Sequence, residues 1–312
     1  MASKRAKPAV VAEPPPASPA AGAPDPAPSP AGHGRAGRNL PAAIAVGVGL
    51  GAYVVLTLIF WRFGFVLLIA LALALAAVEL TNALRRVNMH AAVGPIVVGS
   101  VAIAIGSYLA GRQTPPVFST TSVLLAALAL TVLASLVWRM TGGADGYVRD
   151  SAASLLIIAY VPLLGSFTAL ILAAPRDGVA RTVTFLLVVV MNDVGGYVAG
   201  VLFGRHPMAP RISPKKSWEG FAGSVVFGTA AAVLMALYGL HTHFWVGVVL
   251  GVCLVAVATC GDLIESLIKR DLGIKDMSSF LPGHGGVMDR LDSLLVAAPV
   301  AWLIMYVLVP GG

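Results

Sequence analysis

Between residues 39 and 309 the sequence alternates long apolar stretches with short polar connections. Each stretch runs for about 17 to 25 residues, the length a helix needs to cross a hydrocarbon layer roughly 30 Å thick. Nine can be placed, at 39–60, 63–81, 93–111, 121–138, 151–174, 180–203, 220–239, 243–265 and 292–309. The period-two alternation of a membrane barrel is missing. The pattern therefore predicts an all-α polytopic membrane protein of about nine transmembrane helices. Composition agrees, with 58% of residues hydrophobic and 11% charged, outside the range of soluble domains.

The first 38 residues break the pattern. MASKRAKPAVVAEPPPASPAAGAPDPAPSPAGHGRAGR has no periodicity and too little apolar surface to offset chain entropy, which predicts a disordered Pro/Ala-rich tail. Its polar part is too long and Pro-rich for a signal peptide. Three regions follow: the tail at 1–38, N-terminal transmembrane helices at 39–180, and a C-terminal transmembrane region at 181–312 that holds the candidate chemistry. Cys253 and Cys260 share one helix face at i, i+7, too far apart to bridge each other, and are expected to be core thiols.

Charge orients the spans. With the N-terminus in the cytoplasm, all but four of the 21 Lys and Arg residues fall on the cytoplasmic side, the exceptions being Arg62, Arg112, Arg176 and Arg181. The positive-inside bias thus predicts N-in and C-out. The Ala/Gly/Pro bias fits a GC-rich bacterial genome, and with it the inner membrane. Eight of the cytoplasmic cations gather in the segments 204–219 and 266–291, a distribution that attracts polyphosphates and anionic lipid head groups.

The second of these segments holds the densest chemistry. The eighth span should continue as a helix through GDLIESLIKRDLG, with Gly273 as its stop. Asp262, Glu265, Ser266 and Lys269 then fall at i, i+3, i+4 and i+7 on one face. Across the loop, HGGVMDRLD opens the ninth span and sets Asp289 and Asp292 at i, i+3 in its first turns. Asp262 and Asp289 lie on consecutive antiparallel helices and are expected to face each other at about the same depth. Two carboxylates with Ser266 nearby suit a hard cation of the Mg²⁺ kind. Gly283, Gly285 and Gly286 allow a sharp turn that presents N–H groups to phosphate. A self-paired, solvated helix end explains such charges but has no need of this glycine spacing.

The first segment, FGRHPMAPRISPKKSWEG, is stiffened by three prolines. Ser213, Lys215 and Lys216 offer a hydroxyl and two ammonium groups to phosphate. Ser217 is placed to cap the seventh span, with Glu219 in its first turn. A third feature is Asn192–Asp193 within the sixth span, where an acid in lipid usually faces a polar cavity. Gly195, Gly196 and Gly200 follow and allow close helix approach. Glu79, near the end of the second span, is most simply paired with Arg85 or Arg86.

No GxxxxGK[ST], HExxH or GxSxG motif is present, which sets aside the commonest ATPase, zinc protease and serine hydrolase readings. What is present, SLIKRDLGIKDMSSFLPGHGGVMDRLD at 266–292, closely resembles the signature of the phosphatidate cytidylyltransferases, or CDP-diacylglycerol synthases. The matching positions are Ser266, Lys269, Arg270, Lys275, Asp276, His284, Gly285, Gly286, Asp289, Arg290 and Asp292. GDLIES at 261–266, ISPKKSWEG at 212–220 and the Asn-Asp pair at 192–193 resemble further family blocks. Val194, Gly195 and Gly196 depart from the Thr-Ala-Ala often found after Asn-Asp, and Ser217 replaces a usual Thr.

The resemblance implies transfer of CMP from CTP to phosphatidate, giving CDP-diacylglycerol and pyrophosphate for phospholipid synthesis, in a cytoplasm-facing cavity open to the bilayer. It implies Mg²⁺ together with K⁺, and commonly a homodimer. Asp262 and Asp289 map onto metal-binding carboxylates, with Ser266 adjacent. Lys269 and Arg270 join them as catalytic groups, with Asp193 deeper. Asn192, Ser213, Lys215, Lys216, His284, Gly285, Gly286 and Arg290 fall where substrate is bound. Two other functions would use some of these parts: a CTP-dependent lipid or polyprenol kinase, and, with Asp193 in an ion path, a secondary transporter.

Overall fold

The computed structural model describes residues 40–112, 119–278 and 285–310. The expected disordered tail and His284 lie outside the described residues. The apolar stretches become helices: α1 (Leu40–Phe60), α2 (Arg62–Arg85), α3 (Val93–Arg112), α4 (Thr120–Met140), α5 (Tyr147–Ala173), α6 (Gly178–Phe203), α7 (Trp218–Gly239), α8 (Phe244–Asp271) and α9 (Met288–Leu308). Among the described residues, α2 to α9 are long and apolar enough to cross a membrane, and Ala45–Phe60 of α1 is a shorter apolar helix.

Between α6 and α7 the chain forms a small antiparallel hairpin, β1 (Pro207–Ala209) with β2 (Ser213–Ser217), pairing Pro207 with Ser217 and Ala209 with Ser213. Hydropathy marks this segment only as polar and its prolines predict a stiff loop in an all-α protein, whereas the chain pairs with itself here. Its backbone is where the polar chain solves its own hydrogen bonding.

Helix ends follow the local chemistry. Ser217 caps α7 by accepting from the Gly220 N–H at 3.1 Å. Gly273 stops α8 in the left-handed region (φ +66°), and Ile274 N–H then donates to the Lys269 carbonyl at 2.9 Å, a closure only glycine adopts without strain. Hydroxyls inside the apolar helices return to their own backbone. Thr81, Ser100, Thr131 and Thr182 each donate to the carbonyl four residues earlier, as polar groups without water must.

Two apolar cores hold the bundle. One joins α2, α3 and α5 with Leu272, Ile274 and Met277 beyond α8; the other packs Phe185 and Val188 of α6 and Leu250 and Leu254 of α8 against Ala297, Ala301 and Met305 of α9. Helices α6 and α7 approach most closely through glycines, where a Cβ on Gly223 would lie 2.6 Å from the Gly195 carbonyl. The expected use of Gly195 for close approach is thus realised. Cys260 is exposed at the bundle surface and Cys253 partly so, so Cys260 is not the core thiol expected.

Two charged clamps sit away from the signature segments. Arg181, 3% exposed, donates to Asp177 and to the Met305 and Val309 carbonyls at 2.6, 2.7 and 3.3 Å. A cation thereby meets the carbonyl end of α9. Buried Asp150 accepts from the His90 N–H and from Arg139 Nε at 2.9 and 2.8 Å, tying together the turns before α3 and α5.

Candidate active site

The site begins with where β2 and the end of α8 put their charges. The hairpin holds Lys216 half-buried with its Nζ 2.5 Å from Asp262 Oδ2. Arg270 Nε donates to the Ile212 carbonyl at 3.3 Å and so fastens the last turn of α8 to the same hairpin. The two basic segments, far apart in sequence, meet here. Around this contact lies a polar cavity of about 330 Å³ whose walls include Asn192, Asp193, Lys215, Lys216, Ser217 and Asp262. Asn192 is buried and donates to Asp193 Oδ1 at 2.8 Å, while its carbonyl accepts from Ser224 of α7 at 2.6 Å. The network turns Asp193 toward the cavity.

One turn further along α8, Glu265 is 0% exposed and forms an i, i+4 ion pair with Lys269. The Lys269 ammonium also donates to Asp289 Oδ1 at 3.0 Å, bridging α8 and α9. Asp289 further accepts from the Gly286 N–H at 2.8 Å and the Met277 N–H at 3.1 Å. Gly285 adopts φ +81°, which lets the chain turn so that the Gly286 N–H points back at Asp289. The sequence expectation gave these N–H groups to phosphate; here the Gly286 N–H serves the carboxylate.

Several carboxylates lie within electrostatic reach of one another. Asp292 lies within electrostatic reach of Asp262 and Asp193, and Glu265 within reach of Asp289 and Asp292. Arg290 acts on Asp193. Ser266 follows Glu265 and is half-buried, and Ser213 stands opposite Ala209 in the hairpin rather than in the wall of the polar cavity.

Four residues of this region are not among the expected site residues. Glu265 lay on the predicted stripe, and its i, i+4 relation to Lys269 was the available signal. Asp292 closed the motif and shared the i, i+3 face with Asp289. Tyr160 is 8% exposed, and its hydroxyl has no hydrogen-bond partner among the described residues, yet Glu265, Asp292 and Asp262 all act on it. A π-helical turn at Ala159–Leu163 containing Pro162 puts it there, as proline removes an N–H from the helical ladder.

The fourth is Glu79, and here the expected pairing with Arg85 or Arg86 is corrected. Its carboxylate accepts from Ser278 Oγ at 2.6 Å, Val287 N–H at 3.0 Å and Met288 N–H at 2.8 Å. A buried acid is better served by orphan N–H groups at a helix start than by exposed arginines that water already solvates. A lone acid in an apolar span was the signal.

Among the described residues, no three His, Cys, Asp or Glu side chains converge as a ready-made metal site. Mg²⁺ ordinarily takes one or two carboxylates and completes its shell with water and phosphate oxygens. The donor set suits that habit. The Glu265 carboxylate is buried and is compensated by the Lys269 ammonium, with Asp289 beside it.

Comparison with known proteins agrees with this chemistry. A sequence profile described as the cytidylyltransferase family matches residues 41–308. A phosphatidate cytidylyltransferase of Mycobacterium leprae is 48% identical over 200 residues, 59% of this chain and 64% of that relative. One from Mycobacterium bovis is 46% identical over 190 residues, 57% and 62% of the two chains, and one from Aquifex aeolicus is 44% identical over 121 residues, 39% and 45%. The chain thus spans less than two thirds of the length of each of these relatives.

Proposed function

We propose, from the premise that this chain belongs to the cytidylyltransferase family, that it transfers the cytidylyl group of CTP to phosphatidate, with pyrophosphate as leaving group and CDP-diacylglycerol as product. The observation that carries the reading is the pair of ammonium–carboxylate contacts, Lys216 with Asp262 and Lys269 with Asp289. The first ties the hairpin to α8 and the second ties α8 to α9, while the Arg270 contact with the Ile212 carbonyl joins the two basic segments.

The reaction asks for positioning and neutralisation more than for a base. The attacking phosphatidate oxygen is already ionised near neutral pH, and both reactants are polyanions. A new P–O bond forms at the α-phosphorus of CTP as the bond to the bridging β-phosphate oxygen breaks in line, and pyrophosphate carries the electron pair away. Lys215 and Lys216 sit on the wall of the polar cavity, where they would bind the triphosphate. Lys269 would absorb charge on the transferring phosphoryl group and Arg270 would support the hairpin that carries the lysines. Asp193, Asn192 and Arg290 would orient the incoming lipid head group.

Mg²⁺, with K⁺ as a second cation, would supply charge neutralisation to the phosphate oxygens, held by Asp262 and Asp289 with Ser266 adjacent and Glu265 buried beside them. The Tyr160 hydroxyl, buried without a hydrogen-bond partner among the described residues, would be a further donor for a phosphate oxygen. With N-in orientation the cavity faces the cytoplasm, the compartment that holds CTP.

The test is pyrophosphate release by the purified protein in detergent, supplied with CTP, phosphatidate and Mg²⁺ and then with each omitted in turn. Release that needs all three, with CDP-diacylglycerol as the lipid product, is expected. Release without lipid, or a phosphorylated lipid alcohol as product, would overturn the assignment.

A further inference from the structure

A second cavity lies apart from the polar one and has the opposite character. Its volume is about 350 Å³, and its walls come from α1, α2, α5, α6 and α9. The lining side chains are apolar apart from Thr168 and Arg290. Along α2 it extends from Phe65 to Leu75, roughly 15 Å at the helical rise.

The cavity has a direction. Glu79 lies one turn beyond Leu75 and holds the start of α9 through Met288, so this end of the groove abuts the signature segment. On α9 the wall continues from Arg290 through Leu291 and Leu294 to Leu295. A cation therefore stands at the polar end and only hydrocarbon follows. Arg290 lines this groove and Asp193 the polar cavity, and the two opposite charges attract each other.

The far part is open sideways. Leu50 of α1 and Leu71 of α2 line the groove and are 47% and 56% exposed. Leu71 stands on a helix of membrane-spanning length, where such exposure faces hydrocarbon, and a molecule can enter from the bilayer beside it without passing through water. An apolar slot of this form, ending at an arginine beside a carboxylate and phosphate-binding cluster, suits a chain of methylenes attached to a phosphate.

We infer that this groove holds one acyl chain of the lipid substrate, with its phosphate end directed to Arg290. The inference rests on phosphatidate being the acceptor. It adds that the lipid is gripped by its chain within the protein, so affinity depends on chain length. Each methylene withdrawn into the groove packs against leucine and phenylalanine side chains rather than against mobile lipid.

The experiment narrows the groove with Ala72→Trp and, separately, Leu294→Trp. Kinetics are measured with dioleoyl and with dihexanoyl phosphatidate in the same detergent. The expected result is a KM for the dioleoyl lipid raised at least about tenfold relative to that for the dihexanoyl lipid, with the KM for CTP unmoved. Equal effects on both lipids, or none, would overturn the inference. A wild-type protein inactive with both lipids would instead overturn the proposed reaction. A measurement independent of turnover and of variant folding uses the wild-type protein and phosphatidate with a photoactivatable group midway along one chain. Labelling within 68–75 or 291–295 supports the groove; labelling confined to outward positions such as Val198 and Val226 overturns it.

Discussion

Glu79 Oε2 accepts the Met288 backbone N–H at 2.8 Å across 209 positions of sequence. An acid from the second helix thus closes the first turn of the last one. The same carboxylate holds Val287 and Ser278, so both sides of the signature loop hang from it. A Cβ on Gly286 would lie 2.6 Å from Glu79 Oε2, which leaves this approach to glycine alone.

Replacing Glu79 with Gln keeps the shape but turns one acceptor oxygen into a donor facing another donor. An unsatisfied buried N–H costs about 1–3 kcal/mol, which in a chain of this size corresponds to a thermal midpoint lower by about 5 °C. Pyrophosphate release should fall at least about tenfold, because the loop that carries Asp289 loses its anchor. Both are read on protein in detergent, by a thermal melt and by the release assay. Wild-type values for both would remove Glu79 from the positioning of this loop.

Asp289→Asn should abolish turnover while the protein still elutes as a folded species. The amide keeps one oxygen for the Gly286 or Met277 N–H, but the negative charge facing Lys269 is gone. Release at the wild-type rate would remove Asp289 from the chemistry.

Lys216→Ala should raise the KM for CTP by roughly 10- to 100-fold, the range for a charge-assisted contact to phosphate. The KM for phosphatidate should move less, because the Lys216 ammonium lies on the polar cavity and not on the apolar groove. Titration of initial rates against each substrate separates the two. A change confined to the lipid would reassign the polar cavity.

Gly223→Ala would force α6 and α7 apart, at a cost of about 1–3 kcal/mol for overpacking. Gly51→Ala is the matched control, since nothing lies within 4 Å of a Cβ there. A drop in thermal midpoint for the first and none for the second is expected. Equal behaviour would mean that the close approach of α6 and α7 carries no weight in stability.

Much of the site was legible because its residues carry local patterns. The stripe from Asp262 to Lys269 follows from helical periodicity alone, as do the Ser217 cap and the Gly273 stop. The pairings were not legible. Lys269 could be seen near Glu265, but its bridge to Asp289 depends on how α8 and α9 pack. Lys216 could be seen as a phosphate ligand, but its partner Asp262 lies 46 positions on and is met only because the hairpin folds against α8. Glu79 was misread because sequence distance favours Arg85 and Arg86, whereas burial favours a helix start on another part of the chain.

The sequence by itself determined the helices, their approximate bounds and the family of chemistry. Apolar length against a membrane is a property of each segment alone, and the signature is contiguous. Only the tertiary structure decided which carboxylate faces which ammonium, that Tyr160 and Glu79 reach the carboxylate region, and that an apolar groove runs from Arg290 into the bundle. Those relations depend on helix contacts and buried hydrogen bonds between residues tens to hundreds of positions apart, where the low dielectric rewards one satisfied arrangement and penalises the rest.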